Sequence, residues 1–158
     1  DHYVLGTEVE IGSSPFTLFW VGQLSTFDSP NGVLTDSSED STAELFFENP
    51  TTIGYRGRGV EEALELQFAS ASFPVRTEMQ ICIKKSSNGD FQVFKNGVHL
   101  TPVSASSAGS ETFEVDIIGR DNEDDFFDGY IYELALYERA LSSAEIQTVS
   151  NYLSDKLL

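Results

Sequence analysis

The sequence predicts an all-β fold, an antiparallel two-sheet sandwich closed by a short C-terminal helix. Three observations carry this. Short apolar or alternating runs recur with turn formers between them at regular spacing, as a sandwich requires. An Asn-Gly pair joins two such runs at Asn96-Gly97. Helical periodicity is confined to the tail, so βαβ units are not indicated.

Val4 to Ile11 alternates loosely around Gly6 and reads as an edge strand or hairpin. Phe16-Thr-Leu-Phe-Trp-Val-Gly is apolar on both faces, as a central strand covered on both sides must be, with Pro15 tolerated at its start. Inside that run Trp20 reads as core rather than as a sugar platform. Residues 25–42 are rich in turn formers: a long loop, with a tight turn at Pro30-Asn31-Gly32 and a short strand near Val33-Leu34. Ala43 to Glu48 resumes a strand that Asn49-Pro50 ends. Ala63 to Ala69 alternates, with Leu64, Leu66 and Phe68 on one face and Glu65 and Gln67 on the other. Met79 to Lys84 is a further strand, and Cys82 within it reads as a small buried hydrophobe. Asp90 to Leu100 is a hairpin whose Asn96-Gly97 suits a type I′ turn, because both central residues need positive φ. His99 follows the turn as a solvent-facing strand residue. Ser104 to Thr112 is a small-residue loop, Phe113 to Gly119 a strand, and Gly129 to Tyr137 a long strand. Ser142 with Glu145 three residues on forms a capping box, and Ile146, Val149, Leu153 and Leu157 then share one helical stripe. The total is nine or ten strands in one domain, residues 1–158.

The charge narrows the partners. With 26 Asp and Glu against 9 Lys and Arg, the net charge is −17. A field of that sign repels phosphate backbones and anionic membrane surfaces, so no nucleic acid and no membrane insertion are expected. Solubility, cationic partners, calcium and neutral polymers remain. One cysteine excludes an internal disulfide and a multi-cysteine zinc site.

Two segments carry candidate chemistry. Thr52-Ile-Gly-Tyr-Arg-Gly-Arg-Gly is the one basic spot in the chain. Its Tyr55, Arg56 and Arg58 could stack on and hydrogen-bond a ligand that glycine lets approach. The same residues could equally form a strand or loop whose arginines offset nearby carboxylates. Phe27 and Asp28 in the long serine-rich loop are further ligand candidates. Asp121-Asn-Glu-Asp-Asp-Phe-Phe-Asp holds five acids in eight residues. Asp121, Asp124, Asp125 and Asp128 are therefore candidate calcium ligands, although no glycine stands at the sixth position as in an EF-hand. A solvated acidic loop is the alternative. For catalysis, Glu65 has no carboxylate companion at i+2 or i+4, and no nucleophile or phosphate-loop motif is present.

Ile118-Gly-Arg followed by Phe127-Asp-Gly-Tyr-Ile-Tyr-Glu-Leu-Ala-Leu-Tyr-Glu-Arg-Ala-Leu-Ser-Ser-Ala-Glu-Ile resembles the closing motif of concanavalin A-like, laminin G-like jelly-roll domains. Phe16 to Val21 is similar to that family's long central strand. Phe91 to Gly97 resembles its aromatic-x-Asn-Gly hairpin, and Asn151-Tyr152-Leu153 the helix end of bacterial and phage members. The match runs over nearly the whole chain. The resemblance implies a jelly roll and a non-catalytic, lectin-like module that binds a polysaccharide or glycan, in a secreted or surface protein. A structural or adhesion domain with protein partners in a larger assembly, such as a virion, is the alternative. Three departures bear on this. The family has a strand ending in Phe-Asp-Gly that here is either absent or lies before Asp1. At Tyr132 the family commonly carries Asp, which in related glucanases helps hold a structural calcium. The Glu-x-Asp-x-Glu signature of its enzymes is missing, which implies no enzyme. Gly129 to Leu141 then reads as scaffold, with Ile131, Leu134 or Ala135, and Tyr137 filling the sandwich.

Overall fold

The computed structural model describes residues 2–28, 31–37, 43–58, 63–69, 72–87, 89–105, 112–120, 126–155 and 157. Among them lie twelve strands and one helix. The strands are β1 (Tyr3–Gly12), β2 (Phe16–Leu24), β3 (Asn31–Thr35), β4 (Glu44–Asn49), β5 (Thr52–Arg56), β6 (Leu64–Gln67), β7 (Glu78–Lys85), β8 (Phe91–Lys95), β9 (Val98–Leu100), β10 (Ser104–Ala105), β11 (Phe113–Ile118) and β12 (Gly129–Tyr137). The helix α1 spans Ser143–Ser154. All pairings are antiparallel. A seven-stranded sheet runs β1-β11-β3-β4-β5-β6-β10, and a five-stranded sheet runs β12-β2-β7-β8-β9. This is the expected jelly-roll sandwich.

Twelve strands exceed the nine or ten read from the sequence because β5 and β10 join the large sheet. β5 pairs along its length with β4 and β6, so the glycine-rich segment is regular strand up to Arg56. Ser104 and Ala105 pair with Gln67 and Leu66, which converts the start of the small-residue loop into a strand. A second correction concerns Pro30-Asn31-Gly32. Asn31 and Gly32 lie in β3 opposite Phe47 and Phe46 rather than in a tight turn. The buried Asn31 side chain donates to the Thr26 carbonyl (3.1 Å) and accepts from the Asp128 amide (2.7 Å), which holds this stretch extended.

β2 carries the architecture. Phe16, Leu18 and Trp20 face the space between the sheets, where Trp20 packs on Phe47 (5.1 Å between ring centroids) and Phe127. Phe19 and Val21 face the opposite way and form a second core with Cys82, Phe94, Leu141, Ile146 and Leu153 under the helix. Burial pushes the Cys82 thiol up to about 12, so it is an inert core residue. The hairpin turn has φ of 50° at Asn96 and 78° at Gly97, the type I′ geometry expected. It is also stapled by Asn96 Oδ1 accepting from the Gln80 amide (2.9 Å).

Gly54 explains one of the glycines in the basic segment. Leu45 and Phe47 enter the core, so Phe46 points to the outer face of the large sheet, opposite Gly54. A Cβ on Gly54 would occupy the space of the Phe46 ring. The close approach that this glycine permits is that of a neighbouring side chain. Gly54→Ala is expected to cost about 2 kcal/mol by overpacking, and combining it with Phe46→Ala should cost less than the sum of the two. Urea denaturation of the four proteins measures that coupling, and additivity would refute the clash.

The helix begins as read. Ser142 Oγ accepts from the Glu145 amide (3.3 Å), and the Ser142 amide donates to Glu145 Oε2 (2.8 Å). Buried Thr17 ties this corner to β2, donating to the Arg139 carbonyl and accepting from the Leu141 amide, both at 2.9 Å. The hydrogen bond from Arg139, then those from the Ser142 amide and hydroxyl, hold the Glu145 carboxyl down at about 2. A carboxylate whose pKa is depressed by folding adds stability above its ordinary 4.5, lost as pH falls toward 2. Glu145→Gln should therefore lower Tm at pH 7, with the difference from the parent shrinking between pH 4.5 and about 2. Melting curves across that range would contradict the assignment if the difference stayed constant.

Candidate functional site

The basic segment does not converge into a binding site. On β5 the alternation sends Ile53 and Tyr55 inward and Gly54 and Arg56 outward. Tyr55 is only 2% exposed and packs among Phe91 (4.6 Å), Phe113 (5.0 Å) and Phe16 (6.0 Å). Its expected role as a stacking platform is corrected: the ring fills the sandwich. Arg56 lies on the outer face and pairs with Glu44 of β4 at 2.6 Å.

Arg58 stands just beyond β5 as the hub of a carboxylate cluster. Its amide donates to the Thr112 carbonyl at 2.8 Å. Its Nε donates to Asp36 Oδ2 at 2.7 Å, and its two terminal nitrogens engage Glu114 and Glu8. Burial opposes the guanidinium charge, but the Asp36 hydrogen bond and the Asp36, Glu114 and Glu8 carboxylates outweigh it and raise its pKa. The Asp36 side chain is 2% exposed and meets the guanidinium at 2.7 Å. The two arginines thus neutralise acids of neighbouring strands.

The structure does bring together two other candidates that are far apart in sequence. Phe27 is half-buried against the main core, and Asp28 is exposed beside it. The Asp28 amide donates to Thr26 Oγ1 (3.4 Å), and that hydroxyl donates to Asp128 Oδ2 (2.7 Å). Ser25 is joined to the Asp128 carbonyl as well. Asp121, Asp124 and Asp125 lie outside the described residues. Among the described residues no group of three His, Cys, Asp or Glu side chains is arranged to hold a metal ion. Asp128, the one described member of the acidic set, gives one carboxylate oxygen to Thr26.

Glu65 does have a carboxylate neighbour, Glu48, supplied by β4, two strands away in the same sheet, rather than by its own strand. Burial, and then the charge of Glu65, push the Glu48 carboxyl up.

The surface that sequence reasoning missed is on β12. A register shift between Ile131 and Glu133 places a bulge at Tyr132. Ile131, Leu134 and Leu136 pack inward, and Ala135 and Tyr137 pack under the helix. Leu134 and Ala135 therefore both fill the structure, on opposite faces. Tyr130 and Tyr132 remain 60% and 38% exposed, with rings stacked at 6.3 Å and 19°. Tyr132 donates its hydroxyl to Glu78 Oε1 on β7 at 3.2 Å. Burial, the Glu78 hydrogen bond and the Glu78 charge raise the phenol pKa. Tyr130 lies opposite Gln23 of β2, which adds an amide to the same neighbourhood. The Tyr-Ile-Tyr alternation was the available signal, whereas the bulge that shifts the parity after Tyr132, sending Leu134 and Leu136 inward, has no sequence mark.

With this sandwich in view, a laminin G-type model described as the concanavalin A-like lectin/glucanases superfamily matches residues 1–147. The chain belongs to that superfamily. No curated protein sequence matches it. Solved structures similar to this lectin/glucanase-superfamily chain include the native heptameric SAP-like pentraxin of Limulus polyphemus. It has TM-score 0.62 and 12% identity, covering 94% of this chain and 75% of the pentraxin. A candidate carbohydrate-binding protein of Bacteroides ovatus has TM-score 0.63 and 16% identity, covering 93% of this chain and 44% of that one. A Trypanosoma rangeli sialidase has TM-score 0.61 and 14% identity, covering 90% of this chain, which spans only 23% of the enzyme. At these identities the likeness concerns the fold.

If Arg58 is a structural hub, Arg58→Ala leaves the Asp36 carboxylate buried without its cation. The expected loss is about 3 kcal/mol of stability, read by denaturant unfolding. A stability change within about 0.5 kcal/mol, the range of ordinary surface substitutions, would show that the cluster is not holding these strands.

Proposed function

We propose that this domain is a non-catalytic, lectin-like module that binds a glycan on the outer face of the five-stranded sheet, around Tyr130 and Tyr132. The stacked, exposed tyrosine pair is the observation that carries the reading. Sugar rings present apolar C–H faces and a periphery of hydroxyls, so they need an aromatic surface beside polar groups. Tyr130 and Tyr132 supply the first, and Glu78, Glu133 and Gln23 supply acceptors and an amide. Superfamily membership and the Bacteroides ovatus relative support a carbohydrate ligand. The absent Glu-x-Asp-x-Glu signature supports a binding rather than a hydrolytic role. Phe27 and Asp28, beside Asp128 and the start of β12, would extend the surface along the chain of a longer glycan. Calcium at Asp121, Asp124, Asp125 and Asp128 would be structural in this scheme, bracing the loop that leads into β12. The setting is a secreted, surface or virion protein. No helix among the described residues is long and apolar enough to cross a membrane.

A glycan array followed by calorimetry on the best ligand tests this. Tyr130→Ala and Tyr132→Ala should each weaken binding about tenfold, or ~1.4 kcal/mol, while Arg56→Ala leaves affinity unchanged. Absence of binding to any polysaccharide at millimolar concentration, or affinity indifferent to both tyrosines, would dismiss the proposal.

A further inference from the structure

Charge adds a selection to the tyrosine surface. Antiparallel pairing sets Tyr130 of β12 opposite Gln23 of β2, and Gln23 opposite Glu78 of β7. Residues paired across a sheet share a face, so the three side chains form one row over adjacent strands, about 10 Å between its outer members. Tyr132 reaches toward the far end of that row, where its hydroxyl donates to Glu78 Oε1 at 3.2 Å. Glu133 follows Tyr132 and pairs with Val21, two residues from Gln23 on the same face of β2.

These two carboxylates lack a cation. Arg56, Arg58 and Arg139 are committed to acids elsewhere, and neither Glu78 nor Glu133 has an ion-pair partner among the described residues. Arg76, two positions before Glu78, is exposed and makes no ion pair with it. An ionised carboxylate accepts about four hydrogen bonds, and Tyr132 gives Glu78 one. Acceptor capacity with a full negative charge is therefore left beside two exposed rings. Tyrosine faces also attract ammonium groups, and the net charge of −17 adds a field of the same sign. Uronates, sialates and sulfated sugars are repelled by the carboxylates and by that field.

We infer, on the basis of the lectin-like reading, that this surface selects glycans carrying free, protonated amines, of the deacetylated glucosamine type. The sugar ring stacks on Tyr130 and Tyr132, its ammonium meets Glu78, and Glu133 strengthens the negative field. A lysine-rich peptide offers the charge without a rigid ring to stack, and ordering its long side chains costs entropy.

Chitosan and chitin hexamers test this, because they share the same rings and acetylation removes the charge. The pH is set above the ordinary glutamate range and below that of the sugar amine. Calorimetry should find the chitosan hexamer bound about tenfold more tightly, and Glu78→Gln should bring the two affinities within about twofold. Glu138→Gln makes the same charge change about 20 Å along the chain from Tyr132, beyond the screening length of about 8 Å at physiological salt, and should leave the preference intact. Equal affinity for the two hexamers, with both lost in Tyr132→Ala, would overturn the charge selection and leave the lectin-like reading standing. A chitosan preference that survives Glu78→Gln, or equally tight binding of a lysine hexapeptide, would overturn it as mere adsorption to an acidic surface. Tighter binding of an acidic oligosaccharide at the tyrosines, or no binding of either hexamer at millimolar concentration, would overturn it too. Absence of binding to glycans of every charge class would remove the lectin-like reading with it.

Discussion

The two-sided burial of β2 is the constraint on which the rest of this structure depends. Each large apolar side chain taken from water stabilises the fold by about 1.5–3 kcal/mol, and β2 buries such groups on both of its faces. One set, with Trp20 at its centre, joins the two sheets. The other set, Phe19 and Val21, requires a cover, and α1 is that cover. Thr17 then sits where the two demands meet, bonding both sides of the turn that leads from β12 into the helix. The closing segment is held where it is because β2 needs a partner on its edge and a lid on its back.

Electrostatics explains why the conspicuous cations are poor guides to function. A chain with 26 carboxylates and 9 Lys and Arg has few positive charges to distribute. Arg56 meets Glu44, Arg58 gathers Asp36, Glu114 and Glu8, and Arg139 meets Glu145. Cations in an acidic protein are drawn to sites where strands bring carboxylates together, and a nearly buried acid such as Asp36 makes the demand strong. In the proposed lectin-like role, recognition therefore falls to neutral aromatic groups.

The outer face of the five-stranded sheet is divided between these tasks. At one end the helix seals Phe19, Val21 and Phe94; at the other, Tyr130 and Tyr132 lie open beside Glu78.

Much of the scaffold was legible because its signals are local. The two-faced run of β2, the alternation of β6, the Asn96-Gly97 turn and the Ser142–Glu145 capping box are set within a few residues by sterics and hydrogen bonding. The closing motif extended that legibility to the family. Function was less legible. Tyr55 looked available because its neighbours are glycine and arginine, yet strand parity and the Phe16, Phe91 and Phe113 rings made it core. Asn31-Gly32 resembled a turn, but Thr26 and Asp128, 102 positions apart, draw Asn31 into a strand. Tyr132 looked like scaffold, yet its ring stacks on Tyr130 and stays exposed. The sequence by itself determined most of the strands, the hairpin turn and the helix, since those choices depend on near neighbours. The tertiary structure alone decided which side chains meet water, because that depends on register, bulges and contacts between residues far apart in the chain.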